Sequence, residues 1–151
     1  IKSIDEKDLF NFFKEYVSRY KKPIDQAKEN IILKSMGFLK NKAKTLEDIW
    51  NNAQYIINDK IEIGADDKKL IDDLSKKVIK DFTSEYEKLS ALSREALETI
   101  IKSLIDKHKT NFKGVGQPIR IALVGSRFGP GIYDVILSLD KSEVIKRLKQ
   151  I

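Results

Sequence analysis

The sequence contains no cysteine, which excludes disulfide bonds and thiolate metal sites. It also lacks any run of about 18 apolar residues, so we expect no transmembrane span and no membrane partner. Its first residues do not form the apolar core of a signal peptide. We therefore expect a cytoplasmic protein. Because the sequence does not begin with methionine, we also expect it to be part of a longer protein.

Residues that perform catalysis are scarce. The single histidine, His108, lies in a charged stretch at the end of a predicted helix. A general base needs a positioned partner, so we expect His108 to be solvated rather than catalytic. The acidic pairs at 66–67 and 72–73 are expected at helix N-termini and in ion pairs with lysines, not around a metal. We predict no catalytic residue and no metal site.

Nucleotide-binding loops are missing as well. The segment Gly114-Val115-Gly116 lacks the third glycine of a dinucleotide-binding loop, and no glycine precedes a Lys-Ser or Lys-Thr pair. The residues alone therefore indicate no cofactor bound by this chain.

The charge is modestly positive, with 29 basic and 23 acidic residues and a net charge of +6. Such an excess favours a polyanionic partner such as RNA, although lysine-rich proteins reach it without binding nucleic acid. Two functions stay open from composition: RNA binding, and a helical module that docks another protein.

Apolar residues recur at helical spacing almost throughout, which predicts an all-α fold. Helices are expected behind a capping box at Ser3, from Pro23, and behind a cap at Thr45. A break around residues 58–66 predicts two helical subdomains, 1–64 and 65–151. A fourth helix should carry an apolar stripe from Leu70 to Leu89, and a fifth should begin after Ser93.

Backbone-shaping residues concentrate near the end: five of the seven glycines and two of the three prolines follow residue 110. This clustering predicts a connection through Gly114 and Gly116, then short helices at about 117–124, 130–138 and 142–150. The segment between the first two of these should form a tight elbow.

Several side chains near the elbow suit RNA. Arg120 places a forked donor in an apolar run, although a structural pair with Asp134 is the alternative. Phe128 is a candidate for stacking on a base, as is Tyr133, and both also suit a role as core plugs. Four basic residues are candidate phosphate contacts, with a solvated surface charge as the alternative for each: Arg127, Lys113, Lys107 and Lys109.

A family resemblance sharpens this hypothesis. The run KGVGQPIRIALVG at residues 113–125 and the run PGIYDV at 130–135 resemble the C-terminal signature of bacterial glutamyl-tRNA synthetases. The segments 40–46 and 143–148 resemble two further parts of that family. The resemblance implies two all-α subdomains that form a cage around a tRNA anticodon loop.

The same resemblance implies which residues contact the anticodon bases: Arg120, the elbow residues Gly129, Pro130 and Ile132, and two lysines, Lys42 and Lys102. Some relatives carry threonine at position 129, so a hydroxyl contact is lost there. Lys42 and Lys102 stand where relatives have arginine, which keeps the charge and loses the bidentate fork. The change at Lys42 leaves open whether glutamine tRNA is bound along with glutamate tRNA.

The resemblance also implies a catalytic domain in the same protein, which joins glutamate to tRNA with ATP and magnesium. The His-Ile-Gly-His and Lys-Met-Ser-Lys types of signature that such a domain carries do not occur in this sequence. We therefore expect tRNA selection, and not aminoacylation, from this chain.

Overall fold

The computed structural model describes residues 3–41 and 43–151. This described part contains ten α-helices and no strand, which confirms the all-α prediction. It divides into two compact units, the first ending at Asp59 and the second beginning at Lys60. The sequence placed the boundary slightly later, between residues 64 and 65. No helix in the described part is both long and apolar enough to cross a membrane.

The first unit consists of four helices: α1 (Glu6–Tyr20), α2 (Gln26–Leu39), α3 (Leu46–Asn52) and α4 (Gln54–Ile57). Helix α1 packs on α2 and α3, and α4 packs on α2 and α3. Its core consists of apolar side chains that are at most 5% exposed, among them Leu9, Phe13, Val17, Ile32, Met36, Leu39, Ile49 and Ile56.

Capping side chains decide where these helices start. Helix α1 begins after Asp5, whose carboxylate accepts a backbone N–H of the first turn, so the predicted cap at Ser3 is wrong. Helix α2 is capped in the same way by Asp25, and it begins three residues after Pro23. The capping box at Thr45 is confirmed. An aspartate accepts the N–H groups of a first turn and also complements the helix dipole, which favours both aspartate caps.

The second unit contains six helices: α5 (Ala65–Lys68), α6 (Asp73–Glu87), α7 (Arg94–Lys107), α8 (Phe112–Val124), α9 (Ile132–Ser138) and α10 (Lys141–Lys149). Helix α8 is the central helix of the unit and packs against α6, α7, α9 and α10. Its buried side chains include Val115, Ile119, Ile121 and Leu123. Helix α6 begins later than the predicted stripe, and Leu74, expected inside, is 42% exposed.

The sequence predicted a connection through Gly114 and Gly116, and this prediction is wrong, because both glycines lie inside helix α8. Asn111 caps the helix by accepting the N–H of Gly114 at 2.9 Å. A Cβ at Gly114 would lie 2.0 Å from the Thr110 hydroxyl, and one at Gly116 would lie 3.3 Å from the ring of Phe112. Both glycines therefore make room for side chains one turn earlier, and they do not form a loop.

His108 was expected to be solvated, and that expectation is wrong. Its side chain is only 12% exposed, and Nε2 lies 2.8 Å from Oδ2 of Asp81 on α6. The same carboxylate oxygen lies 2.9 Å from Nζ of Lys107. Contacts with Lys107 and, to a smaller extent, with His108 hold the pKa of the Asp81 carboxyl below its ordinary value. These contacts tie the end of α7 to the middle of α6.

Candidate nucleic-acid interface

The elbow, residues 125–131, joins α8 to α9. Gly125 ends α8 in the left-handed conformation, with φ of 84°, and its N–H donates to the Ile121 carbonyl at 2.9 Å. A Cβ here would lie 2.5 Å from the backbone oxygen of Glu62. Gly129 is a second position with positive φ, at 139°. The elbow therefore depends on glycine both for backbone conformation and for space.

Arg120 points from the last turns of α8 toward the elbow. Its Nη1 donates to the carbonyl of Arg127 at 3.2 Å. Its Nε is buried and has no hydrogen-bond partner among the described residues. The alternative pair with Asp134, which lies in the first turn of α9, is not found in the described part. Arg120 thus holds an unused donor next to the elbow.

Burial has two consequences for the Arg120 guanidinium. It lowers the pKa of the group from its ordinary value, since water no longer solvates the charge fully. Arginine nevertheless remains protonated in proteins, so the charge is retained. A buried donor without a partner costs about 1–3 kcal/mol, so the described contacts leave the Arg120 guanidinium incompletely satisfied.

Phe128 is the exposed part of the elbow. Its side chain is 71% exposed, so the described structure does not use it as a core plug. The guanidinium carbon of Arg127 lies 5.1 Å from the ring centroid, and the Ser126 hydroxyl accepts the N–H of Phe128 at 3.1 Å. These contacts orient the ring while leaving it open to a ligand.

Asp67 on α5 anchors the elbow, and sequence reasoning missed this role. Its Oδ1 accepts the backbone N–H of Arg127 at 3.4 Å and lies 3.6 Å from Nε of the same residue. Sixty residues separate the two in sequence, and no local pattern links an acidic pair in a lysine-rich helix to a distant loop. Arg127 is therefore partly committed to Asp67, which limits its use as a phosphate contact.

A family model described as an anticodon binding domain matches residues 8–151. The chain belongs to this anticodon-binding domain family. It is 52% identical over 98% of its length to a glutamate–tRNA ligase of Pelagibacter ubique, of which it covers 32%. It is also 26% identical over its full length to a glutamate–tRNA ligase of Thermodesulfovibrio yellowstonii, of which it covers 33%.

Solved structures agree on the fold. A glutamate tRNA ligase from Elizabethkingia meningosepticum superposes with a TM-score of 0.79 at 21% identity, over 97% of this chain and 29% of that one. In sequence, the chain spans about a third of the length of the two glutamate–tRNA ligases named above.

In this anticodon-binding domain the remaining candidates are placed as follows. Pro130 and Ile132 are buried, so the elbow presents backbone and the ring of Phe128 rather than these two side chains. Lys102 on α7 and Lys113 on α8 are exposed. Lys42 lies outside the described residues.

Tyr133, the other stacking candidate, is half-buried in the anticodon-binding domain. The guanidinium carbon of Arg94 lies 4.8 Å from its ring centroid, and the ring of Phe112 lies 6.1 Å away. Burial raises the pKa of the Tyr133 hydroxyl. Both rings contact an arginine, but Tyr133 is half-buried, whereas Phe128 is largely exposed. The described residues contain no group of three acidic or histidine side chains able to hold a metal ion.

Proposed function

We propose that this chain is the anticodon-binding region of a glutamate–tRNA ligase and that it selects glutamate tRNA. The family match and the 52% identity to a named glutamate–tRNA ligase support this proposal. The structural observation that carries it is the elbow, where Arg120 donates to the carbonyl of Arg127 and the next residue, Phe128, exposes its ring.

The proposal includes the rest of the protein. A catalytic domain elsewhere in the same polypeptide would bind ATP and magnesium and join glutamate to the tRNA, while this chain would not catalyse the reaction. We place the protein in the cytoplasm, which suits a chain without cysteine. Glutamine tRNA belongs to the proposal as a second ligand, because the family resemblance places Lys42 at a position where it implies an arginine.

Each part of the interface has a chemical task. Arg120 donates to acceptor atoms on the edge of an unstacked base, as specific RNA readers do with single-stranded loops. Phe128 stacks on a base, and the backbone of Gly129 and its neighbours approaches the RNA closely because no side chain stands in the way. Exposed Lys102 and Lys113 lie on the same unit and suit phosphates, which position the RNA without specifying its sequence.

The test is fluorescence anisotropy of the chain with three anticodon stem-loops at one fixed salt concentration. The loops carry the glutamate anticodon, the glutamine anticodon and a scrambled sequence on the same stem. We expect tighter binding to the glutamate loop than to the scramble. Equal affinity for all three would leave only electrostatic attraction and would favour the protein-docking module instead.

Variants sharpen this test. Arg120→Ala should reduce affinity for the glutamate loop by about 1–3 kcal/mol, as a mismatched base does in a specific site, and should flatten the preference over the scramble. Arg94→Ala removes the same charge from a more exposed arginine that pairs with Glu98, so it is the matched control and should weaken all three loops slightly and equally. An equal loss on every loop for Arg120→Ala would reassign this residue to phosphate contact or scaffold.

A further comparison addresses Lys42. Replacing it with arginine should restore a bidentate fork and widen the preference for the glutamate loop over the glutamine loop. An unchanged ratio would show that this position does not discriminate between the two tRNAs. Aminoacylation by this chain alone, with glutamate, ATP and tRNA, should not exceed background.

A further inference from the structure

The first unit carries an exposed aromatic surface at the end of α1. Tyr20, the last residue of the helix, is 69% exposed. Its ring centroid lies 5.3 Å from that of Tyr16, with the planes tilted by 44°. We call Tyr16 and Tyr20 the aromatic platform. The ring of Tyr20 packs next to that of Tyr16, and most of the Tyr20 side chain is open to solvent.

Contacts from α3 hold the platform in place. The hydroxyl of Tyr16 donates to Glu47. Nζ of Lys21 donates to the same carboxylate at 3.0 Å and lies over two rings, 6.0 Å from the centroid of Tyr16 and 5.6 Å from that of Trp50. Because Tyr16 is fixed from beneath, the neighbouring ring of Tyr20 has a defined support.

The charges around the platform are complementary to a polyanion. Residues 14–22 carry four basic side chains and one acidic one, Glu15. Arg19 is 66% exposed and pairs with Glu15 at 2.8 Å, and Lys22 is exposed just beyond the helix. The acidic group nearest the rings, Glu47, is already engaged by Tyr16 and Lys21. An exposed ring flanked by basic side chains is the usual platform for single-stranded RNA, since every base offers a face for stacking.

From this arrangement we propose that the first unit contacts tRNA through Tyr20, which stacks on an unpaired nucleotide while Arg19 and Lys22 contact the adjoining phosphates. This inference rests on the proposed function, because it takes RNA as the ligand. It assigns the first unit a contact separate from Arg120 and the elbow in the second unit.

Base stacking predicts a specific pattern of losses. Tyr20→Ala should weaken binding of the glutamate anticodon stem-loop about 5- to 150-fold, the range expected when a single base–aromatic stack is removed. Tyr20→Phe keeps the ring and should bind within about twofold of the parent chain. Phe12→Ala is the matched control, because Phe12 is an aromatic side chain on the same helix and is 53% exposed.

Two further readouts separate stacking from charge. Stacking tolerates any base, so Tyr20→Ala should reduce the affinity for the glutamate and glutamine loops by a similar factor. Arg120→Ala should instead reduce the affinity for the glutamate loop more than that for the other loops. Tyr20→Ala should also leave the salt dependence unchanged, while Arg19→Ala should reduce the slope of log K against log salt by about 0.7.

The outcomes are distinguishable. If Tyr20→Ala binds RNA as the parent chain does while Arg120→Ala loses discrimination, the platform is not an RNA contact and the proposed function stands. Equal losses for Tyr20→Ala and Phe12→Ala would assign the effect to general surface apolarity and would overturn the inference. Failure of the parent chain to prefer any loop would overturn the proposed function itself.

Discussion

Replacing Gly125 with alanine tests how the elbow is built. The left-handed conformation at this position costs a non-glycine residue about 1–2 kcal/mol. The new Cβ would also lie 2.5 Å from the Glu62 carbonyl oxygen and 2.8 Å from Cγ2 of Ile61, so the segment at 61–62 must move. Overpacking of this kind costs about 1–3 kcal/mol. We therefore expect Gly125→Ala to lower the free energy of unfolding by about 2–5 kcal/mol.

Gly64→Ala is the matched control for this prediction. Gly64 has φ of −63°, which any residue adopts, and its added Cβ would meet only Oδ2 of Asp67 at 3.8 Å, an ordinary contact. Gly64 is the N-cap of α5, where alanine is less favourable than glycine, so this substitution should cost at most about 1 kcal/mol. The two variants thus add the same methyl group to the same unit and differ in backbone conformation and space.

Urea unfolding measures both variants. Far-UV circular dichroism follows the helices of both units, while the single tryptophan, Trp50, lies in the first unit and its fluorescence follows that unit. We expect Gly125→Ala to shift the dichroism transition to lower urea with little change in slope. If its free energy of unfolding matches that of Gly64→Ala within about 0.5 kcal/mol, the reasoning on strain and crowding is refuted.

Three further predictions concern stability. Asp81→Asn should destabilise the chain at neutral pH. Lys107 and His108 lower the pKa of the Asp81 carboxyl in the folded chain, so the carboxylate stabilises the fold above its ordinary pKa and stops doing so as pH falls. The urea unfolding curves of the parent chain and the variant should therefore converge below about pH 4. Tyr86→Phe should stabilise by about 1 kcal/mol, because its buried hydroxyl has no partner among the described residues; a loss of stability in thermal melts would contradict this. Thr45→Ala should cost about 1 kcal/mol by removing a cap, with an earlier Trp50 fluorescence transition as the readout.

Helical periodicity was enough to predict the fold class and most helices. It was less successful where one residue type serves two purposes. Gly114 and Gly116 suggested a connection because glycine favours loops, yet here glycine makes room for Thr110 and Phe112 inside a helix. Only the packing between successive helical turns distinguishes a glycine in a loop from a glycine that makes room inside a helix, and the sequence alone does not show that packing.

The candidate site shows a similar division. Arg120 stood out because a single arginine interrupts an apolar run, and the structure places it against the elbow. Asp67 and the Asp81–His108 pair did not stand out, because their partners lie far away in sequence and acidic residues on lysine-rich helices usually pair locally. Whether each candidate contacts RNA stays a prediction.

The hydrogen bond from Arg120 to the Arg127 carbonyl links the two proposed RNA contacts of the elbow, the guanidinium of Arg120 and the ring of Phe128. Arg127 immediately precedes Phe128, so a base that draws the guanidinium aside also perturbs the peptide from which the aromatic ring projects. Hydrogen bonding and stacking at the elbow should therefore be energetically coupled. In a double-mutant cycle, Arg120→Ala and Phe128→Ala together should cost less than the sum of the two single losses, as expected for one recognition element rather than two independent ones.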